Sequence, residues 1–454
     1  MKTLTIDKWS IGIDVRKPAS VSSANRLVDL KNAYINTGKT ITKRKGTTLL
    51  GTTSNNTFGL FSANGVIHVF GTVAVGSVTV PSGVQYNQIG YSGMTLTGIH
   101  SAVLFNGFVF VCADYSGTSR YHYLDGTSLD GFSTDCPHKP VFTVSAGKIF
   151  AEDDDIVRYC EVGDPRLWDG VQDAGFIATG NFTDNSTSVT ALKPYLGSLI
   201  VMHNNTSLEW AIEPNPDNTA LKTTILEGSQ EHRSLANVTG DLYFLSEAGF
   251  RSIAVQSSTG NLADIDVGSV IDKLVAPIVK TGAISIYNHK EGQFWCAVDG
   301  KVWVYSFSKT AKLSAWSYYE YAFTVDDMIM HNNEVIFRSG DNIYKTDGSV
   351  YTDNGTDYEV IAELSQIDFK DNSALKQIHG FDVSQVGTCQ AIFSMGIETQ
   401  ITTHTVTITG DFRDSQMIAL PVIATHIQPK FINKDSNFWE MNLVNIMFNK
   451  MGVL

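Results

Sequence analysis

A short strand hairpin recurs along this 454-residue chain, and its spacing leaves few folds open. Aligned on the turn before one apolar strand, the copies are NGVIHVFG at Asn64, NGFVFVCA at Asn106, AGKIFAED at Ala146 and LGSLIVMH at Leu196. The series continues with TGDLYFLS at Thr239, EGQFWCAV at Glu291 and NNEVIFRS at Asn332. The turn residue falls at Gly65, Gly107, Gly147, Gly197, Gly240, Gly292 and Asn333, at intervals of 42, 40, 50, 43, 52 and 41 residues. Most copies continue, after a polar turn, into a second strand such as SLEWAIEP, where Leu208, Trp210 and Ile212 alternate onto one face. Alternation marks a half-buried strand. A period of about 40 to 50 residues built from strands marks propeller blades, each burying its faces against its neighbours. A β-sandwich explains alternation equally well, but not one hairpin returning at a near-constant interval. The expected fold is all-β: a β-propeller of six or seven blades with a C-terminal β-sandwich-like domain.

Domain organisation follows from where the pattern starts and stops. Residues 1–57 read as an N-terminal arm and lead-in strands, 58–352 as the propeller, and 353–454 as a β-rich distal or docking domain whose alternating stretches lack the blade pattern. Within the first part, ANRLVDLKNAYI fits either one or two helical turns or a strand. VGSVIDKLVAPIVK reads as a helix with Val270, Leu274, Val275 and Ile278 on one face, shortened by Pro277.

The composition suits short strands and many turns, with 38 glycines and only 17% charged residues. A net charge of −13 argues against a surface built to clamp nucleic acid, because neutralising phosphates takes clustered Lys and Arg. It does not exclude a channel through which DNA slides. The five cysteines are scattered and form no CxxC, so buried free thiols in a reducing compartment are expected. MKTLTIDKWSIGID alternates where a signal peptide would need an apolar run, and no apolar run reaches membrane-spanning length. A soluble protein without a membrane anchor is the expectation.

Sites of chemistry are sparse. Asp153, Asp154 and Asp155 form the most acidic run, but the alternate ligand spacing and glycine of a calcium loop are missing, so a hairpin turn is expected. There is no HExxH, P-loop or GxSxG, and the eleven histidines are dispersed. His68 and His122 fall within strands. A propeller glycosidase would need paired carboxylates about its axis. Glu209, Glu231, Asp241 and Glu247 are candidates that nothing in the sequence links, and Glu209 reads as a solvent-facing neighbour of Trp210. The tryptophans within strands read as packing between blades. No catalytic residue, cofactor or metal is expected. The densest basic patch is Lys39, Lys43, Arg44 and Lys45: a solvated strand edge is the plainer reading, where lysines block edge pairing, and contact with DNA or a neighbouring subunit the sharper one.

Four stretches carry a family likeness. GDPRLWDG, leading into a hairpin ending in SLEW and a polar EPNPDN loop, resembles the tail nozzle or hub proteins of short-tailed bacteriophages, also called tail tubular or packaged-DNA stabilisation proteins. RLVDLKNAYINTGKTITKRKGT resembles that family's opening strand pair, HRSLANVTGDLYFLSEAGFRSI one of its blades, and IYKTDGSVYTDNGTDYEVIAEL the blade that closes its propeller. The likeness spans roughly residues 23 to 385. It implies a virion protein assembled in the host cytoplasm: a ring of six copies docked below portal or adaptor proteins, in contact with fibre or distal tail proteins. Such a ring retains packaged double-stranded DNA and conducts it at ejection. Asp164, Arg166 and Trp168 in the GDPRLWDG loop are then expected as an assembly contact. The alternative is a carbohydrate-acting propeller, glycosidase or lectin-like; a cellular propeller scaffold is a third possibility.

Overall fold

The computed structural model describes residues 1–454 except 55, 125–131, 133, 134, 169–172, 185, 186, 256–265, 372, 398, 399, 411–416 and 454. Seven small sheets follow one another from Phe58 to Asp347. Their opening strands are Phe58–Ala63, Gly98–Phe105, Phe142–Ser145, Ala191–Tyr195, Ala236–Val238, Ile284–Asn288 and Asp327–His331. These line the axis, and the last lies against the first, so the ring is closed. The chain is a seven-bladed β-propeller joined to a β-sandwich.

Each recurring hairpin is the first hairpin of one blade. Six of the seven turns place two consecutive residues at positive φ, from Asn64 (50°) and Gly65 (76°) to Asn332 (48°) and Asn333 (62°). That is the twist a two-residue hairpin loop needs, and it accounts for the Gly or Asn at the second position. Second strands are buried on both faces because each blade is packed on two sides. In Ser198–Met202, Leu199 and Val201 face blade 3 while Ile200 and Met202 face blade 5. This is why the run from Leu199 to Met202 is continuously apolar. Blade 1 departs from the pattern: its third strand, Val84–Gln88, runs parallel to Val66–Gly71.

Closure uses the chain's beginning. Gly46–Thr52 adds as the outer antiparallel strand of blade 7, beside Asn342–Asp347. The residues expected as an arm and lead-in strands are therefore divided. Part of 1–57 closes the propeller, and the rest is built into the sandwich. Lys2–Ile6 pairs with residues 444–448 of Glu440–Val453, and Ile41–Lys43 pairs with the same strand at 440–441. Glu440–Val453 also pairs with Ala374–Val386, completing one sheet with Ala33–Ile35 and Ile418–Ala424. The facing sheet runs Leu27–Lys31, Val360–Leu364, His426–Asn433, Thr388–Ile397, Gln400–Thr409. Phe381 of one sheet meets Phe393 of the other with ring centroids 4.2 Å apart.

The second sheet does not stop at the domain edge. Lys31 bridges to Tyr318 of blade 6's outer strand, Leu313–Tyr319, making one nine-stranded sheet across both parts. A single buried cluster accordingly runs from Tyr243 and Phe294 through Trp316 to Phe431 and Val444.

Of the two readings for 27–34, the strand holds: Leu27–Lys31 and Ala33–Ile35 are extended, broken by Asn32 at φ 53°. The expected helix shrinks to one turn, Asp272–Val275, with no side-chain cap at Ile271 and Leu274 37% exposed. Pro277 has no N–H to extend it. Asp154 and Asp155 form the hairpin turn after Lys148–Asp153.

Candidate functional site

Two places gather buried charge. The first is where propeller and sandwich meet. Just after Ile41–Lys43 the chain turns inward, and Arg44 is 1% exposed. Its guanidinium donates from Nη1 and Nη2 to Asp353 Oδ1 (2.8 Å) and Oδ2 (2.5 Å). It also donates to the carbonyls of Lys45 (3.0 Å) and Glu320 (3.1 Å), and from Nε to Asn32 Oδ1 (3.0 Å). Five N–H donors thus meet five acceptors. The plane lies 3.8 Å from the Tyr358 centroid and 4.3 Å from that of Tyr321. Burial opposes the charge, but the hydrogen bonds and charge of Asp353 outweigh it, and the guanidinium's pKa is raised. Asn32 adds a second tie, accepting from the Glu320 N–H (2.9 Å) and donating to the Glu359 carbonyl (2.7 Å).

Lys43 is fully buried, donating to Asn433 Oδ1 (2.9 Å) and the Asp435 carbonyl; burial lowers its pKa to about 8, which Asp435 partly offsets. The reading of this patch as a solvated edge or a DNA contact is therefore corrected for Lys43 and Arg44, since neither reaches the surface. Lys45 lies half-buried over Tyr351 and donates to its hydroxyl (2.5 Å), and half-buried Lys39 sits in the turn before Ile41–Lys43 at φ 63°. The four residues form no common face. Sequence reasoning missed Asp353 and Asn32; only the tyrosines of YYEY hinted that a cation would be enclosed.

The expected assembly loop divides in the same way. Asp164 holds Arg166 through two contacts (2.9 and 3.2 Å) near the surface, whereas Trp168 is 1% exposed and packs between blades 2 and 3. Its bulk, with an indole N–H satisfied by the Pro165 carbonyl at 2.8 Å, suits it to a core. Trp168 is thus a packing residue, not a contact. Asp169 lies outside the described residues.

The second place is the propeller axis. A cavity of about 300 Å³ is lined by all seven blades. Arg233, in the turn His232–Ser234, donates from Nη2 to Asp327 Oδ1. The Asp327 side chain is 4% exposed, and that of Arg233 31%. Lys193, from blade 4, also lines the cavity, and burial lowers its pKa. Burial, then Lys193 and Arg233, push His232 down to about 3, so its ring is neutral and its Nδ1 accepts the Leu192 N–H (3.3 Å). His100, from blade 2, is 3.8 Å from Asp114 and is held low chiefly by burial.

Asp327 is the only carboxylate among the described residues that line the cavity, and it is committed to Arg233. The four candidate carboxylates lie elsewhere. Glu209 accepts from Ser198 Oγ (2.9 Å) on the third strand of blade 4, and Asp241 accepts from Ser252 Oγ (2.5 Å) within blade 5. Glu231 precedes the Arg233 turn and Glu247 is exposed in a hairpin turn. Glycoside hydrolysis takes two carboxyl groups flanking one bond, and this arrangement does not bring two together. What it does hold is an excess of positive charge.

No family model and no curated protein matches the chain. Among solved structures it is similar to the Neurospora crassa Pan2 WD40 domain, with 8% identity, 70% of this chain and 88% of that one covered, and a TM-score of 0.37. Drosophila Plexin A in complex with Semaphorin 1b gives 9% identity, 67% and 88% coverage, and a TM-score of 0.29. A structure described as a glycoside hydrolase gives 8% identity, 89% and 99% coverage, and a TM-score of 0.24. The propeller rests on the seven closed blades themselves.

Proposed function

We propose that the chain is a structural virion protein, the nozzle or hub of a short-tailed bacteriophage tail. Six copies form a ring that docks below portal or adaptor proteins and meets fibre or distal tail proteins. The ring closes the channel over packaged DNA and conducts it at ejection. One observation carries this reading. Two of the stretches that resemble the family, 26–47 and 343–364, converge on one structural joint: Arg44 comes from the first, Asp353 and Tyr358 from the second. The likeness therefore follows the architecture that welds propeller to sandwich, which a body under internal DNA pressure needs. Withdrawal of Lys43 and Arg44 from the surface also suits a wall that passes phosphates without gripping them.

Sedimentation of the purified chain, alone and with a portal–adaptor complex, tests the proposal. Sixfold assembly with weak DNA affinity is expected. A monomer that binds or cleaves members of a glycan panel would favour the carbohydrate-acting alternative.

A further inference from the structure

We infer that the axial cavity is a binding site for a small oxyanion, the phosphate or carboxylate group of a small molecule, held between Lys193 and Arg233. The Lys193 ammonium makes no hydrogen bond or ion pair with any described residue, and its half-buried side chain lines the cavity. An ammonium without a protein counter-charge in a partly enclosed cavity is free to take an anion as its partner. Arg233 gives one Nη2 bond to Asp327, and its Nε and Nη1 have no partner among the described residues. The Leu192 N–H bond to His232 Nδ1 packs the strand of Lys193 against the turn of Arg233, so both cations lie on the same part of the cavity. Against Arg233 and Lys193 the described lining offers one carboxylate, in a chain whose net charge is −13. The local excess is thus opposite in sign to the molecule.

The walls suit the same guest. Leu60, Ile99, Ile284 and Met330 give the cavity apolar walls beside the cations, which suits the carbon skeleton of a small organic anion. The side chains of Arg233 and His100, 31% and 38% exposed, mark an opening to solvent. A volume near 300 Å³ admits a small organic anion as readily as a free one. The site is independent of ring formation.

The test is titration of the full chain with inorganic phosphate and, separately, glucuronate, in a buffer free of both. Isothermal calorimetry on the wild type should show one saturable site for at least one probe. Lys193→Met should weaken it at least tenfold, and Lys193→Arg should retain it. Thermal unfolding provides a second readout. The rise in midpoint with phosphate should be larger for the wild type than for Lys193→Met, a difference that cancels the general stabilising effect of phosphate on proteins. Should Lys193→Met not fold, Lys193→Gln takes its place in the same titrations: weakening at least tenfold for the probe that the wild type binds supports the site, and an unchanged affinity overturns it. Absence of saturable binding by either probe, or identical titrations for wild type and Lys193→Met, would overturn it too.

Discussion

Arg44 is a buried cation and Lys193 a half-buried one, and they differ in whether their charge is answered. Arg44 meets an acceptor at every N–H and lies between tyrosine rings, so its cost of burial is repaid by position: it pins 32, 45, 320 and 353 to one point. Lys193 lines a cavity, and its ammonium has no partner among the described residues. The first arrangement makes a rigid joint, and the second leaves binding capacity. Burial alone does not distinguish structure from function; the state of the counter-charge does.

The contrast is broken most forcefully at the joint. Arg44→Met strands Asp353 in the interior and should cost about 3–5 kcal/mol, read as a lower urea midpoint. Adding Asp353→Leu should recover much of that loss, because the stranded charge is then gone. A single variant within about 1 kcal/mol of wild type would mean that the joint is not held by this pair. Lys43→Met, which leaves the Asn433 side chain and the Asp435 carbonyl without their donor, should cost less, about 1–3 kcal/mol by the same assay.

An acid sharpens the comparison. Burial pushes Glu152 up to about 7, only partly offset by a backbone hydrogen bond and Lys139. Between 4.5 and about 7 the folded chain holds a proton that the unfolded chain has released. This group's contribution to stability therefore falls as pH rises through that window and is level above it. In Glu152→Gln, urea midpoints across the window should lose that component of the fall. Lys193→Met, measured without phosphate, should lie within about 1 kcal/mol of wild type and on the stable side, since it removes an unanswered charge. The smallest change is expected where no charge is involved. Leu196 is 72% exposed at φ 45°, and Leu196→Asn should raise stability by up to about 1 kcal/mol in thermal unfolding.

The propeller was legible because its turns demand particular residues. A positive-φ pair in a two-residue loop selects Gly or Asn, so the hairpins leave a period in the sequence even where the strands share no identity. The sandwich left a weaker trace. Residues 2–6 read as an arm because their partner strand lies at 444–448, and alternation tells which face is buried but not against what. The same limit hid the joint. A Lys-Arg-Lys run reads as surface unless its counter-charge is close in sequence, and Asp353 is 309 residues away from Arg44. Trp168 failed for the opposite reason: its neighbours Asp164 and Arg166 are polar and near the surface, and the loop was read as a unit. At the axis, Lys193 and Arg233 come from consecutive blades 40 residues apart in sequence, so only the packing of blade 4 against blade 5 brings them together.

Ring assembly is the central functional claim, and electron microscopy of the purified chain mixed with a portal–adaptor complex tests it most directly. Class averages should show sixfold rings, each subunit carrying a seven-bladed propeller, seated on the adaptor around an open channel. Single propellers that remain dispersed beside an unoccupied adaptor would contradict it.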